Sequence, residues 1–215
     1  MQARKWQDGV SERAGTLAKL ARRLKALSAW PRSNLPALWF LTDEARPGDP
    51  LIAARALPPG SGIVLRHYRH ASRAGLAQKL AGIAHERGLT LLIGADARLA
   101  RDVEAHGVHL PRWSLARRST PKAHGLITLS AHSARELLKA HGVRPDAVFL
   151  APVFATQSHK SAQALGAVRF SALAHQNAFP VIGLGGIDET AARRLIGSGA
   201  YGIGAISALL PPTEE

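Results

Sequence analysis

Eight short apolar runs, separated by stretches with a helical pattern, constrain the fold of this chain more than any other feature. They are LWFLT (38–42), GIVLR (62–66), TLLIG (90–94), GVHL (107–110), GLITLS (125–130), AVFLAP (147–152), PVIGLG (180–185) and YGIGAIS (201–207). Strands that are apolar throughout are buried on both faces, so helices must cover them. The intervening segments supply such helices: 74–88 and 134–142 are amphipathic, and Gly142 is a suitable helix stop. Eight parallel strands close a barrel, so the expected architecture is α/β, a (β/α)8 TIM barrel. An open doubly wound sheet shares the same alternation, and the end of the chain separates the two.

That end reads PVIGLGGIDETAARRLIGSGAYGIGAISALL (180–210). An apolar strand runs into Gly185-Gly186-Ile187, a helix follows with Asp188 as its N-cap, and a second strand ends at Ile206-Ser207. Glycines admit an oxyanion to the backbone because no Cβ stands in the way, and a helix start favours negative charge. Loops after the seventh and eighth strands of a barrel are the usual place for a phosphate. Gly185, Gly186, Ile206 and Ser207 are therefore expected to hold the phosphate of a small molecule.

Charge points the same way. The 215 residues carry 28 Lys and Arg against 15 Asp and Glu, a formal +13, which invites anionic partners. The basic residues are scattered and no helix-turn-helix, zinc-finger or aromatic RNA-binding pattern accompanies them, so specific nucleic-acid binding is not expected. The absence of cysteine excludes disulfides, thiolate metal sites and a cysteine nucleophile. No apolar run is long enough to span a bilayer and the N-terminus lacks a secretory pattern, so a soluble, cytoplasmic protein without membrane partners is expected.

Residues 1–34 are read as a basic amphipathic helix and linker, and 35–215 as the phosphate-binding barrel. Leu17, Leu20, Leu24 and Leu27 share one helical face, suited to docking on the barrel or on a dimer partner, and Trp30-Pro31 ends the helix. His67-x-x-His70 has chelating spacing but no third ligand, so no transition-metal site is expected. His109 suits a buried, hydrogen-bonded role. Trp113 is placed either to stack on a heterocycle or to plug the barrel mouth. No G-x-S-x-G element supports hydrolase chemistry.

From about Leu35 to Leu210 the chain resembles the thiamine-phosphate synthase and TenI-type thiazole tautomerase superfamily, as a divergent member. The fragments that carry the resemblance are LWFLTD (38–43), VLRHY (64–68), LLIGADARLA (91–100), GVHLP (107–111), LSAHS (129–133), APVFATQSHK (151–160), VIGLGGI (181–187) and IGAISALL (203–210). The resemblance implies a TIM barrel, usually a homodimer, acting on thiamin precursors that carry phosphate. It also implies that Arg66, Thr156, Ser158 and Lys160 complete an anionic pocket.

Against the synthase pattern there are departures. Tyr68 stands at a lysine position after the second strand, and His159 at the lysine of the Thr-x-Thr-Lys segment, with Lys160 following. The Asn-Asp at the end of strand three is Gly94-Ala95 here, with Asp96 one residue late. The Gly-Gln-x-Asp of the fourth loop is Pro111-Arg112-Trp113-Ser114. Both expected magnesium carboxylates are gone, leaving only Asp43 and Asp96 as candidates to rebuild a metal site. The TenI-type tautomerases, by resemblance, also lack that pair, carry Leu-Pro in the fourth loop as at Leu110-Pro111, and use a histidine in a Ser-x-His-Ser context. Ser130-Ala131-His132-Ser133 fits it, making His132 the candidate acid and base, although the same residues serve to start a helix.

The function expected is thus binding of a thiazole phosphate or a thiamine phosphate by a metal-independent TenI-like tautomerase, with no cofactor. Two alternatives stand beside it. One is a thiamine-phosphate synthase that joins pyrimidine pyrophosphate to thiazole phosphate with Mg²⁺ in a rearranged site. The other is a non-catalytic barrel acting as a sensor or partner protein.

Overall fold

A computed structural model of the chain describes residues 2–116, 125–156 and 163–211. Eight parallel strands close into a barrel, each hydrogen-bonded to its sequence neighbours and β1 to β8. They are β1 (Leu38–Leu41), β2 (Gly62–Leu65), β3 (Thr90–Gly94), β4 (Gly107–Leu110), β5 (Leu126–Ala131), β6 (Ala147–Leu150), β7 (Val181–Leu184) and β8 (Gly202–Ala205). The helices are α1 (Gln2–Leu27), α2 (Pro50–Ala56), α3 (Arg73–Arg87), α4 (Ala97–Asp102), α5 (Ala134–Ala140), α6 (Gly166–His175) and α7 (Glu189–Arg193). Short 3-10 turns at Arg112–Ala116 and Ser207–Leu209 follow β4 and β8. Among the described residues no helix is long and apolar enough to cross a membrane.

Strand alternation sorts side chains into two buried clusters. Leu38, Phe40, Ile63, Leu65, Leu91 and Ile93 face the helices, whereas Trp39, Leu41, Val64, Leu92, Phe149, Ile182 and Leu184 fill the barrel. The interior is packed by pairing large with small. The Trp39 ring lies edge-on to Phe149 at 5.6 Å, and it fills the space where a Cβ on Gly62 would sit, 2.1 Å away. The Trp39 indole N–H is satisfied by the Pro36 carbonyl at 2.7 Å. The same period of two, continued past the strand ends, puts Asp43, Arg66 and His132 in line with the inward series, at the barrel mouth.

Helix α1 begins nine residues before the stretch whose leucine spacing predicts it, and it ends before Trp30-Pro31. Its Val10, Ala14, Leu17, Leu20, Ala21 and Leu24 are buried, while Leu27 is exposed. They pack against α2, α7, β1 and β8. This is the flank that, in a closed ring, belongs to a helix following β8. Arg13 reaches from α1 to the Ala208 carbonyl at 3.2 Å and the Leu210 carbonyl at 3.0 Å, so α1 also holds the chain leaving β8.

Local signals explain several boundaries. Asp49, Asp96, Ser133 and Asp188 accept from Leu51, Leu99, Glu136 and Ala191 N–H groups and start α2, α4, α5 and α7. Gly142 does not end α5 in the left-handed conformation. The helix caps at His141 and the left-handed residue is Arg144, at φ 53°, because Val143 and Arg144 N–H groups both reach back to Ala140 O.

Candidate functional site

Two cavities open at the strand ends. The first, of about 430 Å³, is lined by Arg46, Ala155, Thr156, Gly185–Asp188 and Gly204–Ala208. Gly185 and Gly186 adopt φ of 93° and 66°, conformations that glycine enters without a Cβ penalty. Space demands glycine as well: a Cβ at Gly186 would lie 2.5 Å from the Ala155 carbonyl oxygen, and one at Gly185 would lie 2.9 Å from Pro152. The pair lets β7 leave the barrel pressed against the segment after β6 and presents main chain to the cavity. Asp188 does not oppose an anion freely, since its Oδ1 accepts from Ala191 N–H at 2.7 Å. With only five residues, α7 contributes less dipole than a long helix would.

Of the residues expected to grip a phosphate, Thr156, Gly185, Gly186, Ile206 and Ser207 come together around this cavity. Ser158 and Lys160 lie outside the described residues. Arg66 is placed elsewhere. It lines the second cavity, its Nε donates to Thr42 O at 2.9 Å, and its guanidinium pairs with Asp43 at 3.3 Å.

That second cavity, of about 530 Å³, is bounded by Arg66, Tyr68, His109, Pro111, Arg112, Trp113, Ser130, His132, Glu136 and Lys139. His109 is fully buried, with Nδ1 2.9 Å from Thr128 Oγ1 and Nε2 2.9 Å from Ser130 Oγ. Burial, reinforced by the Arg66 charge, pushes its pKa down to about 3, so the ring is a neutral imidazole at ordinary pH. One nitrogen donates and the other accepts, which fixes the orientation of the Ser130 hydroxyl at the cavity wall.

His132 enters from the β5 end. Its backbone N–H donates to Glu136 Oε2 at 2.7 Å, and Glu136 Oε1 accepts from Arg112 Nε at 2.6 Å. Ser133 Oγ in turn accepts from Glu136 N–H, so Ser133 and Glu136 close the start of α5 reciprocally. Burial would raise the Glu136 carboxyl, but the hydrogen bonds from Arg112 and from His132 N–H outweigh it and hold the pKa below the usual range. Trp113 neither plugs the barrel nor lies buried: it is 53% exposed and meets Tyr68 edge-on at 6.4 Å, leaving an aromatic rim.

Magnesium is the metal this fold family implies, and the donors do not fit it. Asp43 is held by Arg66 and by Ala45 N–H at 3.1 Å. Asp96 caps α4 through Leu99 N–H and pairs with Arg73 at 3.2 Å. Ala95 stands where the carboxylate would be, and beside it at Gly94 a Cβ would lie 2.8 Å from the Leu65 carbonyl oxygen and 2.9 to 3.0 Å from the Tyr68 ring and hydroxyl. Tyr68 thus fills that space, with the Arg73 guanidinium 5.8 Å from its ring centre. Among the described residues no three His, Asp or Glu side chains gather as a metal site. His67 bonds to Thr42 Oγ1 at 2.8 Å and meets His70 only edge-on.

Sequence reasoning missed Arg46, which sits in a polar loop without a motif. It also missed Glu136 and Lys139, although the S-x-x-E spacing from Ser133 was a readable signal for the first.

A closed parallel barrel with two cavities at the carboxyl ends of the strands belongs to the class that binds small molecules there. Residues 40–209 match the family model described as thiamine monophosphate synthase, and the chain belongs to that family. It is 29% identical over 186 residues to a putative thiamine-phosphate synthase 2 of Aquifex aeolicus, covering 82% of this chain and 99% of that one. It is 31% identical over 137 residues to the thiamine-phosphate synthase of Bacillus velezensis, covering 62% and 61% respectively. The fold resembles that of a thiamine phosphate pyrophosphorylase from Pyrococcus furiosus, with TM-score 0.64, 21% identity and coverage of 82% and 88%.

Proposed function

We propose that this protein binds a thiazole phosphate or a thiamine phosphate, with the phosphate on the β7 and β8 loops, and acts as a metal-independent thiazole tautomerase of the TenI type. The observation that carries this reading is the state of the acids and bases at the mouth. Asp43 and Asp96 are committed to arginines and backbone amides, while His132 faces the second cavity. Shifting a ring double bond needs one group that takes a proton from one ring atom and returns it to another. An imidazole does both, with no change of oxidation state and no metal. Gly185, Gly186, Ile206, Ser207 and Thr156 seat the phosphate. The ring then reaches across the mouth toward β5, where Glu136 holds the His132 backbone in place.

The test is isomerisation of the thiazole phosphate tautomers by the purified protein in the presence of a chelator. His132→Ala is expected to lower the rate by about 10²-fold or more. Unchanged turnover in that variant removes His132 from the chemistry. The charge of the second cavity favours one other reading. Arg66, Arg112 and Lys139 beside Trp113 and Tyr68 suit a pyrimidine carrying pyrophosphate, with cationic side chains supplying charge. Formation of thiamine phosphate from pyrimidine pyrophosphate and thiazole phosphate, with Mg²⁺ or in the presence of a chelator, supports that synthase reading over the tautomerase.

A further inference from the structure

We propose that Arg46 is a phosphate ligand: the loop between β1 and α2 brings its guanidinium to the glycine-walled cavity as the charged side of the seat. The inference rests on the phosphate seat proposed above and adds to it a contact from an element that carries no recognisable motif. Arg46 is the one positively charged residue among the described residues lining that cavity, and it is half-buried there. The negative residue on the same wall, Asp188, is committed to the start of α7. A phosphate seated on Gly185 and Gly186 therefore meets main chain and small side chains on most sides and a guanidinium on the β1 side.

The loop is built to hold that position. Before Arg46, the turn is closed by Arg46 N–H donating to Asp43 O at 3.1 Å, and by Ala45 N–H donating to the Asp43 carboxylate at 3.1 Å. That carboxylate is itself anchored by Arg66. After Arg46, Asp49 starts α2 by accepting from Leu51 N–H at 2.8 Å. Between them Gly48, at φ 115°, lies against the chain leaving β8, where its Cβ would be 3.4 Å from Pro211 and 3.5 Å from Leu210. Arg13 of α1 grips the Leu210 carbonyl from the far side. The loop carrying Arg46 thus lies beside the chain that follows Ser207, and a ligand that meets both in place loses little entropy in ordering them. A guanidinium presents paired N–H donors that match phosphate oxygens, which a dephosphorylated alcohol lacks. Arg46 is accordingly a specificity residue for the phosphorylated form.

The experiment is calorimetric titration of the full chain with thiazole phosphate and with its dephosphorylated alcohol. The variants are Arg46→Ala, Arg46→Gln, Arg46→Lys and Gly186→Val, each checked for native circular dichroism. Arg46→Ala and Arg46→Gln are expected to weaken thiazole phosphate binding about tenfold, with Arg46→Lys intermediate and the alcohol unaffected. If Gly186→Val loses the phosphate ligand while Arg46→Ala and Arg46→Gln bind it as wild type does, the inference is overturned and the seat stands. If Gly186→Val binds as wild type does, or wild type does not prefer the phosphate over the alcohol, the seat itself fails and Arg46 with it.

Discussion

Acidification from pH 7 to pH 5 should weaken this fold through His109, and the size of the effect follows from where the ring lies. His109 is fully buried between Thr128 and Ser130, under the field of Arg66, with its pKa pushed down to about 3. In the unfolded chain it titrates near the ordinary value of 6.5. Between those values the unfolded state binds a proton that the folded state refuses, so stability rises with pH across the window and is lost as pH falls. Linkage gives a loss of about 2 kcal/mol on going from pH 7 to pH 5. With a urea m-value near 2 kcal/mol/M, that moves the unfolding midpoint down by roughly 1 M. The measurement is urea unfolding at pH 7, 6 and 5 for wild type and His109→Asn. The variant keeps a donor and an acceptor but cannot titrate in this range. Its starting stability is lower, and that offset is irrelevant, because the difference in pH slope is the quantity of interest. His67, whose pKa is also lowered chiefly by burial, remains in both proteins and cancels. Equal losses in wild type and variant between pH 7 and pH 5 would refute the assignment of a neutral, buried imidazole.

Two further outcomes test the packing and the site. Leu24→Ala in α1 removes a side chain that is 1% exposed between helix and barrel, and should cost about 2 to 5 kcal/mol by thermal or urea unfolding, which a loosely attached helix would not show. Glu136→Ala leaves His132 N–H without its acceptor and opens the start of α5; about 1 kcal/mol of stability should be lost, with the exposed Arg112 pair adding little. If Glu136 holds His132 for catalysis, isomerisation should fall in kcat with KM for the thiazole phosphate little changed.

The barrel was legible because its strands are buried on both faces and so stand out as unbroken apolar runs; the observed strands fall within those runs, except that β5 goes one residue further to Ala131, and half of the ends are a residue or two shorter. Helix ends were harder to read. The stop after α5 depends on which residue takes the left-handed conformation, and composition favours Gly142 while the hydrogen bonds to Ala140 select Arg144. The glycine-walled cavity was legible because only backbone can pass where Gly186 meets Ala155. Arg46 was not, since it reaches the cavity from the loop after β1, far in sequence from the β7 and β8 loops, and no local pattern encodes that juxtaposition. Arg66 shows the same limit from the other side: its position at the end of β2 was readable, but its capture by Asp43 and Thr42 is decided by the pairing of β1 with β2.

Helix α1 has a further consequence for how the chain reaches this state. Part of its apolar face is covered by β8 and α7, and its Arg13 bonds across a separation of 197 residues to Leu210. During synthesis at about 5 to 20 residues per second, that part therefore waits roughly 10 to 40 seconds for these late partners to be made. Contacts of such long range are also the slow ones to close. Ring closure is thus deferred to β8, and until then α1 has only β1 and α2 to cover part of its apolar face. A helix made before all eight strands is among the last elements to be fully covered.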